Sequence, residues 1–167
     1  KVAGLVAEAM RDKFDISPQA VVAGLENTRH PGRLEFSESY LFDGAHNLAG
    51  AKALREYLDE FVNQPVTMIF GAMRDKDLTE IAETLFPKAE FLVLTKPDNP
   101  RSMETAELRK FVPENFPREK VFEAQTVREA LKIARNVSDH ENQICVTGSL
   151  YLVGEAQKVL GCDVQQK

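Results

Sequence analysis

The most restrictive feature of this chain is a set of short apolar runs without polar alternation. Val66-Thr67-Met68-Ile69-Phe70, Phe91-Leu92-Val93-Leu94-Thr95 and Ile144-Cys145-Val146-Thr147 carry apolar or small residues at odd and even positions alike. A strand with one solvated face alternates polar and apolar side chains, so a run without alternation is buried on both faces. Stretches with helical spacing separate these runs. Residues 47–62 place Leu48, Ala51, Leu54, Leu58 and Phe61 on one face, and 78–86, 104–112, 127–137 and 150–160 also read as helices. Shorter strands are expected at Tyr40-Leu41-Phe42 and Val121-Phe122, with a further one over 33–36. Strands alternating with helices and buried on both faces imply an α/β fold. It is a Rossmann-like, doubly wound, mostly parallel sheet with helices on both faces.

The first residues follow another pattern. Apolar side chains over 2–13 fall near helical spacing, and Ser17-Pro18 supplies an N-cap and an N1 proline for a second helix over 18–26. The turn-rich 27–32 then marks a boundary. The expected division is a helical segment over 1–28 and an α/β domain over 29–167. About 43% of the 167 residues are hydrophobic, enough for one sizeable core, and the formal charge of −5 argues against a nucleic-acid surface. No run approaches the roughly 18 apolar residues that span a bilayer. Cys145, inside an apolar run, reads as a small buried hydrophobe, and its spacing from Cys162 supports neither a disulfide framework nor a metal site. A cytoplasmic location is the expectation. The chain starts with Lys rather than Met, as a piece of a longer protein would.

In a doubly wound sheet, ligands sit beyond the carboxyl ends of the strands. The polar segments after the strands are 43–47, 71–77, 96–101 and 148–149, and the topology predicts that all four converge on one edge. Asp43 at a strand end can accept hydrogen bonds from ribose hydroxyls, or cap the next helix. His46 can orient a carboxylate or move a proton near neutral pH, or simply bond to nearby backbone. Asn47 reads as the cap of the following helix. Arg33, at the boundary, can reach across to clamp phosphate, or lie in solvent. Arg74, Lys76 and Arg101 are further cations after strands, although the alternating signs of 74–77 favour mutual pairing. Ser149 opens the last helix, where free N–H groups and a hydroxyl make an anion site or a plain N-cap. No phosphate loop, dinucleotide fingerprint, nucleophile elbow or metal-spaced His/Cys cluster occurs in the sequence. The strand-end cluster can therefore bind, but it lacks the usual parts for phosphoryl chemistry.

Four segments carry a resemblance. Pro31-Gly32-Arg33-Leu34-Glu35 followed by Phe42-Asp43-Gly44-Ala45-His46-Asn47 is similar to the P-G-R-x-E … D-G-A-H-N-P signature of folylpolyglutamate synthases. Phe70-Gly71-Ala72-Met73-Arg74-Asp75-Lys76-Asp77, Thr95-Lys96-Pro97-Asp98-Asn99-Pro100-Arg101 and the segment 146–155 resemble three further motifs of that family, in the same order and spacing. Leu48 departs from the pattern, standing where the family usually has proline. The resemblance to the folylpolyglutamate synthase/dihydrofolate synthase family, within the Mur ligase group, implies a C-terminal α/β domain whose N-terminal ATPase partner domain carries the phosphate loop. It implies an ATP-dependent ligase in which a carboxylate of folate or dihydropteroate is phosphorylated and then attacked by the amine of L-glutamate. By that resemblance Arg33 contacts ATP phosphates and Asp43 holds the ribose. His46 and Ser149 lie near incoming glutamate or the intermediate, and Lys76 meets a glutamate carboxylate. Magnesium is expected to be held mainly by the other domain, the protein is expected to be a monomer, and this segment alone is expected to be inactive. The alternative is a stand-alone Rossmann-like module that binds a nucleotide or amino acid without catalysis.

Overall fold

A computed structural model of the chain describes residues 2–28, 30–75 and 77–162. Its contacts divide the chain into two units, residues 1–30 and 31–167.

The first unit comprises α1 (Val2–Met10) and α2 (Pro18–Asn27). Ser17 caps α2 by accepting a hydrogen bond from Ala20 N–H, with Pro18 in the first turn where no amide is needed. The helical pattern over 2–13 stops early, at Met10. Neither helix contains a buried residue, and Val2, Leu5, Val6, Val22 and Leu25 are all exposed.

The second unit contains β1 (Glu35–Ser37), β2 (Tyr40–Asp43), α3 (Leu48–Phe61), β3 (Val66–Phe70), α4 (Thr79–Leu85), β4 (Ala89–Thr95), α5 (Thr105–Leu108), β5 (Val121–Ala124), α6 (Val127–Val137), β6 (Gln143–Thr147) and α7 (Leu150–Leu160). The six strands form one sheet in the order β1-β2-β6-β3-β4-β5. Five strands run parallel, and β1 is an antiparallel edge strand hairpinned onto β2.

Successive residues of each central strand feed opposite layers. Leu41, Met68, Phe70, Leu92, Leu94 and Cys145 join a core with α3 and α4, through Leu54, Leu58, Ile81 and Leu85. The intervening Phe42, Ile69, Val93, Ile144 and Val146 join a second core with α6 and α7, through Val127, Leu131, Leu152 and Val153. This is why the runs lack alternation: each side of the pleat is covered by helices, and each fully buried large side chain contributes about 1.5–3 kcal/mol. The 104–112 stretch is helical only in part. Glu104 and Glu107 make a capping box around the single turn of α5, and 109–111 tighten into a 3-10 turn.

Candidate functional site

Three helices of the second unit begin directly after strands, each capped by a short polar side chain. Asn47 Oδ1 accepts from Gly50 N–H at 2.8 Å, Thr126 Oγ1 from Glu129 N–H at 3.2 Å, and Ser149 Oγ from Leu152 N–H at 3.1 Å. These caps consume otherwise orphaned amides and fix each turn at the carboxyl end of its strand. Asn47, not Asp43, caps α3, and Leu48 enters the helix without proline.

The register sets which turns are neighbours. Asp43 pairs with Thr147, Thr147 with Phe70, and Phe70 with Leu94. The segments 43–47, 148–149, 71–77 and 96–101 therefore leave the sheet side by side at one edge. Two glycines make the close approach possible. At Gly44 a Cβ would occupy the position of the Leu150 side chain. Gly148 has φ +107°, and a Cβ there would lie 2.7 Å from Gly71 O. The loops after β3 and β4 are joined by backbone hydrogen bonds, Arg74 N–H to Arg101 O and Met103 N–H to Ala72 O, both 2.9 Å.

Two groups of residues result. The first lines a pocket of about 180 Å³ formed by His46, Met73, Asp75, Arg101, Gly148, Ser149, Leu150 and Tyr151. His46 Nδ1 lies 2.8 Å from Gly44 O. A carbonyl only accepts, so Nδ1 carries the proton and Nε2 of the neutral ring keeps a lone pair. Ser149 is buried by its capping role, while Arg101 is exposed and paired to Asp75 at 2.8 Å.

The second group surrounds Asp43. The chain over 32–35 wraps the end of β2: Gly32 N–H donates to Glu35 Oε2 at 2.8 Å, Gly44 N–H to Gly32 O at 2.7 Å, and Leu34 N–H to Asp43 Oδ2 at 3.0 Å. Arg33 approaches the other Asp43 oxygen at 4.0 Å, from a half-exposed position. Asp43 is only 6% exposed, and this burial pushes its carboxyl above the usual range. The Leu34 N–H, the Arg33 charge, the Ala45 amide and His46 partly offset it. Thr147 Oγ1, in register beside Asp43, is buried without a protein partner.

Of the residues singled out in the sequence, His46 and Ser149 thus share one pocket, and Arg33 and Asp43 form a second cluster at the same sheet edge. Lys76 lies outside the described residues. Arg74 pairs with Glu104 at 3.6 Å, a partner the alternating charge run did not suggest. Arg101, read in the sequence as part of the rim, stands in the pocket with His46 and Ser149. Its position directly after the apolar β4 run was the available signal. Among the described residues no three His, Cys, Asp or Glu side chains are grouped so as to hold a metal ion. The residues present do not fit a magnesium site. No helix among them is long and apolar enough to cross a membrane.

Comparison with known proteins adds three findings. The family described as the C-terminal domain of dihydrofolate synthetase matches residues 33–159. A probable bifunctional folylpolyglutamate synthase/dihydropteroate synthase of Haloferax volcanii is 34% identical over 155 residues, covering 91% of this chain and 18% of the relative. A dihydrofolate synthase/folylpolyglutamate synthase of Mycobacterium tuberculosis is 31% identical over 163 residues, covering 87% of this chain and 34% of the relative. Among solved structures, Mycobacterium tuberculosis folylpolyglutamate synthase complexed with ADP and AMPPCP superposes with a TM-score of 0.82 at 30% identity, covering 90% of this chain and 36% of that one. The chain therefore spans about a fifth to a third of the length of these proteins.

Proposed function

Since the chain belongs to the family of the dihydrofolate synthetase C-terminal domain, we propose that it supplies one wall of the active site of an ATP-dependent ligase joining L-glutamate to folate, to dihydropteroate, or to both. The observation that carries this reading is the shared pocket of His46, Ser149 and Arg101, drawn from three different strand ends. Residues 1–28 are read as the end of a preceding ATPase domain, which accords with two amphipathic helices that bury nothing of their own. The setting is the cytoplasm, and the protein acts as a monomer.

The chemistry asks little of this domain in covalent terms. ATP phosphorylates the acceptor carboxylate, the glutamate amine attacks the acyl phosphate, and the tetrahedral intermediate collapses with loss of phosphate. Negative charge accumulates on oxygen, so what accelerates the steps is fixed cationic and N–H groups with water excluded. His46 Nε2, with Nδ1 anchored on Gly44 O, is placed to take a proton from the attacking ammonium. Arg101 and Ser149 flank the developing charge, and Lys76 would meet a glutamate carboxylate. Arg33 is held loosely enough at 4.0 Å from Asp43 to turn toward phosphate. Asp43 would accept from the ribose hydroxyls as Arg33 leaves it.

The test joins this chain to a phosphate-loop ATPase domain of the family and follows incorporation of labelled glutamate. Turnover is expected only in the joined protein, and it should fall at least about a hundredfold in His46→Ala and Asp43→Ala. A doubly substituted enzyme running at the parent rate would refute the site assignment. Tight ATP binding by the chain alone, without turnover when joined, would instead favour a stand-alone binding module.

A further inference from the structure

We infer that a second pocket on the same sheet edge binds a zwitterionic, acidic amino acid, the co-substrate of the ligase proposed above, on which this inference rests. The pocket measures about 520 Å³, and Arg74, Lys96, Asp98, Gln125, Thr126 and Glu155 contribute to its lining. That volume lies within the ordinary range for small-ligand sites, roughly 300–1,000 Å³.

Its charges are arranged for a ligand carrying both signs. Lys96 Nζ lies 2.9 and 2.7 Å from the two Glu104 oxygens, and the Arg74 guanidinium shares the same carboxylate at 3.6 Å. Two cations thus face one protein carboxylate, which leaves one positive charge to be met by a ligand. Arg74 is held in place by donating Nε–H to Ser102 O at 3.0 Å. Elsewhere in the lining, Glu155 Oε2 accepts from Asp98 N–H at 2.7 Å, bringing two carboxylates together. Among the described residues neither is paired with a cation. A simple anion would meet Glu155 and Asp98, and a simple cation would meet Arg74 and Lys96. An amino acid satisfies both, with carboxylates toward Arg74 and Lys96 and its ammonium toward Glu155 and Asp98. Two cations suit a ligand with two carboxylates.

The place is as telling as the charge. The second pocket and the His46 pocket are built on the same three elements. Arg74 lines one and Asp75 the other; Ser102 lines one and Arg101 the other; Glu155 and Tyr151 stand one turn apart on α7. An amino acid held here is one loop's thickness from the reacting pocket. Every residue named belongs to this chain, so binding does not require another domain.

The experiment is an amide-shift titration of the isotope-labelled chain with L-glutamate, and with glutarate, which lacks the ammonium. Saturable shifts are expected at Asp98, Asn99 and Gln125 with L-glutamate, and binding at least about tenfold weaker with glutarate. Lys96→Gln and Arg74→Gln should each weaken L-glutamate binding while the amides of β2 and β6 keep their positions, which certifies the fold. No saturable shift at these amides up to roughly 50 mM, or equal binding of glutarate, overturns the inference. Failure of the ligase reading is seen separately: a joined enzyme that incorporates no glutamate although this pocket binds it sinks the function and leaves the site.

Discussion

Gly148 and Gly154 lie six residues apart, and replacing each by alanine should have opposite effects. At Gly148, φ is +107° and an added Cβ would meet Gly71 O at 2.7 Å and the Phe70 ring at 2.9 Å. The dihedral costs about 1–3 kcal/mol for a residue with a side chain. The overlap with backbone and a buried ring adds about 1–3 kcal/mol, since Phe70 is held edge-on against Phe86 at 5.0 Å and cannot yield cheaply. The sum, roughly 2–6 kcal/mol, is a large share of the ~5–15 kcal/mol typical of a domain. At Gly154, inside α7, nothing lies within 4 Å of an added Cβ. Alanine there should stabilise by about 0.5–1 kcal/mol, through reduced freedom of the unfolded chain and better helix propensity. Urea unfolding followed by circular dichroism is the assay, because the chain has no tryptophan. With a slope of roughly 2 kcal/mol per molar, Gly148→Ala should lower the midpoint by about 1–3 M. Gly154→Ala should raise it by a few tenths. A Gly148→Ala midpoint within about 0.3 M of the parent would show that this turn is not constrained by Gly71 and Phe70. The account of how Ser149 is positioned would then fail.

Ser149→Ala should cost about 1 kcal/mol by leaving the Leu152 amide uncapped, and Ser149→Thr should recover most of it; equal midpoints for all three would contradict the capping geometry. Asp43 is expected to make stability pH-dependent in a defined sense. Burial raises its folded pKa above the ordinary 3.8, so its contribution is fully present below that value and is lost as pH rises through the raised one. The stability of Asp43→Asn relative to the parent should therefore improve as pH climbs from below 3.8 toward neutrality, and a gap that narrows over the same range would refute the assignment. Burial also pushes the Cys145 thiol far up, while Cys162 is half-exposed. A thiol reagent should modify one cysteine in the native chain and both in guanidinium; rapid native reaction of both would contradict the packing of β6.

Much of this architecture was legible because burial leaves a direct trace in sequence. β3, β4 and β6 fall where the unalternating runs stand, and α6 and α7 span the expected residues. The edge strand β1 was harder to read. Half-buried and three residues long, it carries only a weak pattern, and nothing in 35–37 tells that it runs antiparallel. α5 shows another limit, since periodicity marks buried positions such as Leu108 whether the backbone is α-helical or 3-10. At the site, individual side chains announced themselves by following strands, but their partners did not. The link from Leu34 N–H to Asp43, the Arg74–Glu104 pair and the Arg101–Asp75 pair all join segments that sequence spacing treats as unrelated.

Strand order is what turns these scattered segments into a site. β6 is the last strand in the chain but lies between β2 and β3. Had it been added at an edge, the Gly148-Ser149 turn would stand far from either the His46 turn or the Arg101 loop. Its central insertion places Thr147 in register with both Asp43 and Phe70. α7 then starts over Gly44, where the Leu150 side chain fills the space a Cβ would need. The small residues at 44, 71 and 148 are the local condition for that insertion, because each lets another backbone or side chain pass close by. The cluster of glycines and the cluster of functional side chains therefore have one cause: a central parallel strand whose carboxyl end must share a crowded edge with three neighbours.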